Sequence, residues 1–268
     1  MDKYKHKLIL YCKSFRGDLE RANVLFESIK KHNKDNIPFY FQIPKSDLEL
    51  FQNKLGNEGY EVVFDEDVTN LVDTQSHFTQ QLFKMEFYKT KIAQYFFLID
   101  SDMYFIKDFY STDFINEDGT PYITMHECKS LLELSHNIKG SGILTDWFQE
   151  ERKAIMEVFG RKGKTYDYSG SALLYYSEVW ESFYEEYCKP NNLTFLNLLQ
   201  HKSSENTWMG EWILYKGFKF YPCEPMFKTF HYPQQYQLHK QLGHTEEMFS
   251  KNYLGITMQS NWGAPLKY

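Results

Sequence analysis

The chain has 268 residues, with 30 lysines and arginines against 36 aspartates and glutamates, a formal net charge of −6. That length allows one large domain, or one domain with a C-terminal extension, and leaves two independent domains cramped. The acidic balance excludes a nucleic-acid binder that works by displacing counterions, and 42% hydrophobic with 25% charged residues exclude disorder.

Aromatic residues reach 18%, more than a core of this size needs, so some rings are expected to be exposed. No run of 18 apolar residues is present and no secretory signal is visible, so a cytoplasmic protein is expected. Cys12, Cys128, Cys188 and Cys223 stand far apart with no C-x-x-C pair, which indicates neither a zinc cage nor a disulfide framework. Tyrosine- and lysine-rich amphipathic stretches leave peripheral membrane contact open, although the net charge gives it no support.

In chain order, Leu8–Cys12 reads as a buried strand, followed by a helix with Leu19, Ala22, Phe26 and Ile29 on one face and Asp18 placed to cap it. Phe39–Ile43 is a second strand, Leu48–Leu55 a short helix and Glu61–Phe64 a third strand. A helix is expected from about Phe78 to Ala93 and a fourth strand over Tyr95–Ile99. Alternating strand and helix predict an α/β fold, a mainly parallel sheet with helices on both faces and ligands at the carboxyl ends of the strands. The second half is less regular. Ala172–Tyr176 is strand-like, Ser177–Tyr187 and Thr207–Lys216 look helical, and Phe218–Tyr221 reads as a short strand before Pro222. With no Gly-, Ser- or Pro-rich linker, 1–110 and 111–268 are expected to pack as one unit.

Phe96-Phe97-Leu98-Ile99-Asp100-Ser101-Asp102 sends two carboxylates out of an apolar strand, a pairing suited to a hard divalent cation and, through it, a diphosphate. With 14 aspartates, about 0.7 D-x-D matches arise by chance, so context must decide. Asp100 and Asp102 interrupt apolar sequence, where unpaired carboxylates are costly. The other match, Asp65 and Asp67, runs into a polar stretch and reads as a solvated turn.

Gln80-Gln81-Leu82-Phe83-Lys84 followed by Phe97-Leu98-Ile99-Asp100-Ser101-Asp102 resembles the Q-Q-x-x-K and hydrophobic-D-x-D pattern of bacterial glycosyltransferase-like proteins of the GT-A fold, DUF6492-like nucleotide-sugar transferases. The resemblance extends through Ser204-Glu205 and Gln259-Ser260-Asn261-Trp262. It implies a Rossmann-like nucleotide-sugar half over 1–110 and an α+β acceptor-binding half over 111–268. It also implies Mn²⁺ or Mg²⁺ on Asp100 and Asp102, Asp102 being the direct ligand, with His231 completing the shell; His239 and His244 read as surface. From the residues alone, His231 is equally a hydrogen-bonded core histidine. Gln81, Lys84, Asp100 and Ser101 would hold the donor, and Ser14, Phe15 and Arg16 would receive the base. A solvated helix face explains Gln80, Gln81 and Lys84 as well by spacing, and a structural turn explains Ser14–Arg16.

Thr165–Ala172 resembles the segment carrying donor sugar and acceptor, with Gly170 allowing close approach and Asp167 bonding hydroxyls. Inversion, which is favoured over retention, needs a carboxylate base. Glu205 comes first, then Glu211 and Asp167, and Trp208 would stack an acceptor ring; as alternatives, Glu205 is a helix cap and Trp208 and Trp212 are core. The implied activity moves a sugar from a UDP-sugar donor to a saccharide or glycolipid acceptor in surface polysaccharide synthesis. The alternatives are a HAD-like phosphohydrolase, whose D-x-D normally lies on the first strand, and a non-catalytic carbohydrate-binding module, which leaves Asp100 and Asp102 without a task.

Overall fold

The computed structural model describes residues 3–69, 77–137, 142–169 and 172–268. The first half runs β1 (His6–Lys13), α1 (Leu19–His32), β2 (Phe39–Ile43), α2 (Leu48–Leu55), β3 (Glu61–Phe64), α3 (Asp65–Val68), α4 (His77–Glu86), β4 (Ala93–Leu98) and β5 (Met103–Phe105). Strand β1 is buried from Leu8 to its end because both faces of a parallel sheet are covered. Helix α1 turns Ala22, Leu25, Phe26 and Ile29 inward at spacings of three and four. Its N-cap residue Asp18 makes no capping bond with its side chain, which instead accepts from Ser101 Oγ at 3.0 Å. The helix expected to reach Ala93 stops earlier. A tight turn at Phe87–Thr90 and the left-handed Lys91 (φ 55°) reverse the chain, so Ala93 already belongs to β4.

The second half comprises β6 (Tyr122–Thr124), α5 (Lys129–Asn137), α6 (Gly142–Val158), β7 (Leu173–Tyr176), α7 (Ser177–Phe183), α8 (Phe195–His201), α9 (Glu205–Lys216), β8 (Tyr221–Cys223), β9 (Phe227–Phe230), α10 (Pro233–Gln241), α11 (Glu246–Ser250) and β10 (Gly255–Met258). The strand expected at Phe218–Tyr221 is displaced onto β8. Left-handed Gly217 ends α9, and Phe218 N–H bonds back to Ile213 O, so the residues after the helix are used in its cap.

The main sheet has the order β3-β2-β1-β4-β7; its first four strands are parallel and β7 is antiparallel to β4. This is a mixed α/β fold with a mostly parallel sheet. Helix α1 packs on α2 and β5, whereas α4 packs on β1, α8 and α9, and α7 packs on β4. Smaller sheets join β5-β10-β9 and β6-β8. Both halves of the sequence therefore supply strands to shared sheets. Strand order reverses between β1 and β4, and the adjacent carboxyl ends at such a reversal leave a crevice.

Much of the aromatic surplus goes inward. Trp180 and Trp208 are fully buried and Trp212 nearly so, with Phe183 stacked on Trp212 at 4.9 Å. Exposed rings include Phe78, Tyr110, Tyr215 and Tyr221. Among the described residues no helix is long and apolar enough to cross a membrane.

Candidate functional site

A cleft of about 960 Å³ opens at the end of β4 and is lined, among others, by Lys84, Asp100, Asp167, Glu205, His231 and Trp262. Its size suits a nucleotide-sized ligand. Of the D-x-D, Asp100 lines the cleft, whereas Asp102 is not among its lining residues. Ile99 N–H still pairs with Tyr11 O of β1, and Met103 N–H then closes a turn on Asp100 O, so Asp100–Asp102 stand between β4 and β5 at the switch point. Asp100 has a side chain 41% exposed, and its Oδ1 takes a 2.7 Å bond from Lys84 Nζ. Asp102 accepts Ser260 N–H on Oδ2 at 2.9 Å, and its backbone carbonyl accepts Met258 N–H, which ties the D-x-D to the Gln259–Trp262 wall of the cleft. Burial, then the neighbouring charge of Asp100, pushes the Asp102 carboxyl up from 3.8 to about 6. Ser101 faces away from the cleft lining, onto Asp18, whose carboxyl is likewise pushed up by burial and by Asp100.

Lys84 is nearly buried on α4. Burial disfavours its ammonium, but Asp100 and then Glu205, 3.9 Å away, hold its pKa above that of an ordinary lysine. Gln81, one turn earlier, donates to Ser203 O and accepts from Ser203 Oγ. It thereby fixes the loop that presents Glu205 as the first residue of α9. The structure thus gathers Gln81, Lys84, Asp100 and Glu205, separated by up to 124 positions in sequence, on one wall.

Asp167 also lines the cleft. Burial works against its charge, but Arg152, 2.8 Å from Oδ1, holds the carboxyl below the ordinary range. His231 also lines the cleft, and burial pushes its imidazole down to about 4, so it is neutral at pH 7. The donor atoms of Asp100, Asp102 and His231 are not gathered within 4.8 Å; among the described residues only His126, Cys128 and Asp167 achieve that. His126, Cys128, Arg152 and Lys228 are cleft residues that motif reading passed over, whereas Asp167 was expected there as a hydroxyl-bonding carboxylate or a base. The His126-x-Cys128 spacing was the available signal.

Other expected positions fall outside the cleft. Ser14 is buried with its hydroxyl unpartnered among the described residues, and the Phe15 ring lies where a side chain on Gly17 would sit. Arg16 is spent on Asp47, to which its backbone N–H and Nε both donate. These three residues form a structural turn bordering the D-x-D through Asp18. Glu211 is locked by Nε and Nη2 of Arg161 and by Tyr168 Oη, and is not among the lining residues. Trp208 is fully buried with its Nε1–H donated to Lys202 O, so it cannot stack an acceptor; Trp262, partly buried, is the tryptophan that faces the cleft. Asp65 is not in a solvated turn: it is fully buried, 3.0 Å from Lys13 and bonded by Gln42, while Asp67 is exposed. Gly170 and Ser171 lie outside the described residues.

No curated protein matches the chain. Residues 7–139, a span that includes β1, β4, Lys84 and both D-x-D carboxylates but not Asp167, Glu205 or His231, match the model of DUF6492, a family of unknown function.

Proposed function

We propose that the chain is a metal-dependent glycosyltransferase of GT-A type, moving a sugar from a nucleotide-diphosphate donor, UDP-sugar first, to a saccharide or glycolipid acceptor. The observation that carries the reading is the position of Asp100 and Asp102 at the carboxyl end of β4, beside the β1 switch point, where a nucleotide-sized cleft begins. A hard cation completed by substrate phosphates and water needs only one or two protein carboxylates. Lys84 occupies only Oδ1 of Asp100, and the repulsion that Asp100 adds at Asp102 is what a cation relieves. Their oxygens suit Mn²⁺ or Mg²⁺, which would supply charge neutralisation for the diphosphate in a protein of net charge −6; His231 is not gathered with them and stays outside this ligand set.

The remaining roles belong to side chains. Lys84, fixed between Asp100 and Glu205, presents a point charge to a phosphate oxygen. Glu205 removes the proton from the acceptor hydroxyl as the new glycosidic bond forms and the nucleoside diphosphate leaves with the old bond's electrons. Asp167, held ionised by Arg152, adds a carboxylate to the cleft lining. The D-x-D lies on the fourth strand in sequence rather than the first, which favours this reading over a HAD-like phosphohydrolase.

The test is a panel of nucleotide sugars with Mn²⁺ and a mixture of saccharide and glycolipid acceptors, read as nucleoside diphosphate release. Release should require acceptor and metal and disappear in Asp102→Ala with unchanged far-UV circular dichroism. Phosphate release from simple monoesters, without sugar transfer, would establish the phosphohydrolase instead.

A further inference from the structure

The wall of the cleft formed by His126, Cys128 and Asp167 holds a second arrangement of donors, chemically unlike the D-x-D. One nitrogen, one sulfur and one carboxylate oxygen lie within 4.8 Å of one another. We propose that this is a site for a borderline-soft divalent ion, Zn²⁺ above all, separate from any cation held by Asp100 and Asp102.

Backbone structure brings the donors together. His126 and Asp167 form an isolated antiparallel bridge, with His126 N–H bonded to Asp167 O at 3.1 Å and Asp167 N–H to His126 O at 2.7 Å. That pairing sets the two side chains next to each other, Nε2 to Oδ2 at 3.7 Å. Cys128 adopts φ 56°, a left-handed conformation that non-glycine residues rarely take. Its sulfur lies within 4.8 Å of the donor atoms of His126 and Asp167. Strain of this sort survives only where the surroundings enforce it, and it gathers at functional positions.

The bonds around the trio leave coordinating atoms available. His126 Nε2 is buried with no hydrogen-bond partner among the described residues. Its other ring nitrogen, Nδ1, stands 3.5 Å from the exposed carboxylate of Glu224. Arg152 occupies Asp167 Oδ1 at 2.8 Å, so the oxygen nearer His126 is Oδ2. Mixed nitrogen, thiolate and carboxylate ligands suit Zn²⁺, whereas a thiol is a poor ligand for Mg²⁺. Binding would form the metal–sulfur bond and release the thiol proton to solvent. Three protein ligands leave a fourth position, and all three residues line the cleft, so that position faces bound ligand.

Cobalt reports the site without reference to any activity. The full chain, stripped with EDTA and dialysed, is titrated with Co²⁺. The expected result is one equivalent bound, with the near-ultraviolet charge-transfer absorption of a cobalt–thiolate bond, and displacement of the cobalt by one equivalent of Zn²⁺. Cys128→Ser should lose the charge-transfer band, and His126→Gln should weaken binding at least tenfold. Cys223→Ser and Asp102→Asn should keep both signals, which separates this site from the neighbouring thiol and from the D-x-D. Absence of cobalt binding in the wild type, binding without the band, or a band that persists in Cys128→Ser would each overturn the proposal. The wild-type titration remains decisive even if a variant fails to fold.

Discussion

Asp102→Asn should stabilise the metal-free protein at neutral pH, although it removes a residue that the proposed reaction depends on. The carboxyl of Asp102 is pushed from 3.8 to about 6 on folding, by burial first and by Asp100 second. The sign follows from linkage. The folded state prefers the protonated form, so Asp102 imposes no penalty below about pH 4, an increasing one as pH rises between the two values, and a constant one above about pH 6. At roughly 1.36 kcal/mol per unit, the full penalty is about 3 kcal/mol, and the partial exposure of the residue brings it nearer 2. Asparagine is neutral, and its carbonyl oxygen can still accept the Ser260 N–H. Urea unfolding in EDTA should therefore show the variant more stable by about 2–3 kcal/mol at pH 7.5, and by about 1 kcal/mol or less at pH 4.5. A variant less stable than wild type at pH 7.5, or a gain independent of pH, would refute the electrostatic account of the D-x-D. Gain on neutralisation is the usual mark of a charge retained for function at the expense of stability.

Other substitutions separate residues of the cleft from residues that hold the fold. Glu205→Gln keeps shape but removes the basic group, so acceptor-dependent transfer should fall by about 10²-fold or more while donor binding, followed by calorimetry, persists. Glu211→Gln should leave transfer chemistry intact but destabilise the fold by about 3–5 kcal/mol in urea, because Arg161 loses the charge that it pairs with beside a buried helix. Trp208→Ala should likewise cost about 3–5 kcal/mol as a core cavity, with KM for the acceptor unchanged in whatever protein folds. Lys84→Met should weaken nucleotide binding and destabilise by about 1–3 kcal/mol, less than a fully buried pair because Asp100 is partly solvated.

The first half of the fold was legible because its elements carry their periodicity in their own residues. Strands β2 and β3 and helix α2 have the bounds that their apolar runs predict, since each is bracketed by polar or glycine-containing sequence. The end of α4 was not legible, because apolar Phe87 and Tyr88 continue the helical pattern while the chain turns at Lys91, a residue with no outward sign of left-handed geometry. Strands β9 and β10 were missed for a different reason: they are short, and each exists through pairing with a distant partner. The same distinction holds at the site. Asp100 and Asp102 stood out as charges in apolar sequence, and Lys84 through its spacing from Gln80 and Gln81. His126 and Cys128 did not, and Asp167 was expected as a sugar-binding carboxylate rather than as their partner, since a search for paired cysteines cannot find a mixed donor set assembled from two segments. Glu205 and Glu211 look alike in sequence, and only Arg161 and Lys84, placed by the fold, distinguish them. For Arg16 and Trp208 the sequence left a structural and a binding reading open, because the partners that decide for structure, Asp47 and the Lys202 carbonyl, are supplied by tertiary packing.

Calorimetric titration of UDP into wild type and Asp102→Ala, each with Mn²⁺ and each in EDTA, tests the central claim most directly. The account predicts saturable binding by wild type with Mn²⁺, and at least tenfold weaker binding in EDTA and in the variant under either condition. Equal affinity in all four titrations would contradict a metal bridge between the D-x-D and a nucleotide diphosphate.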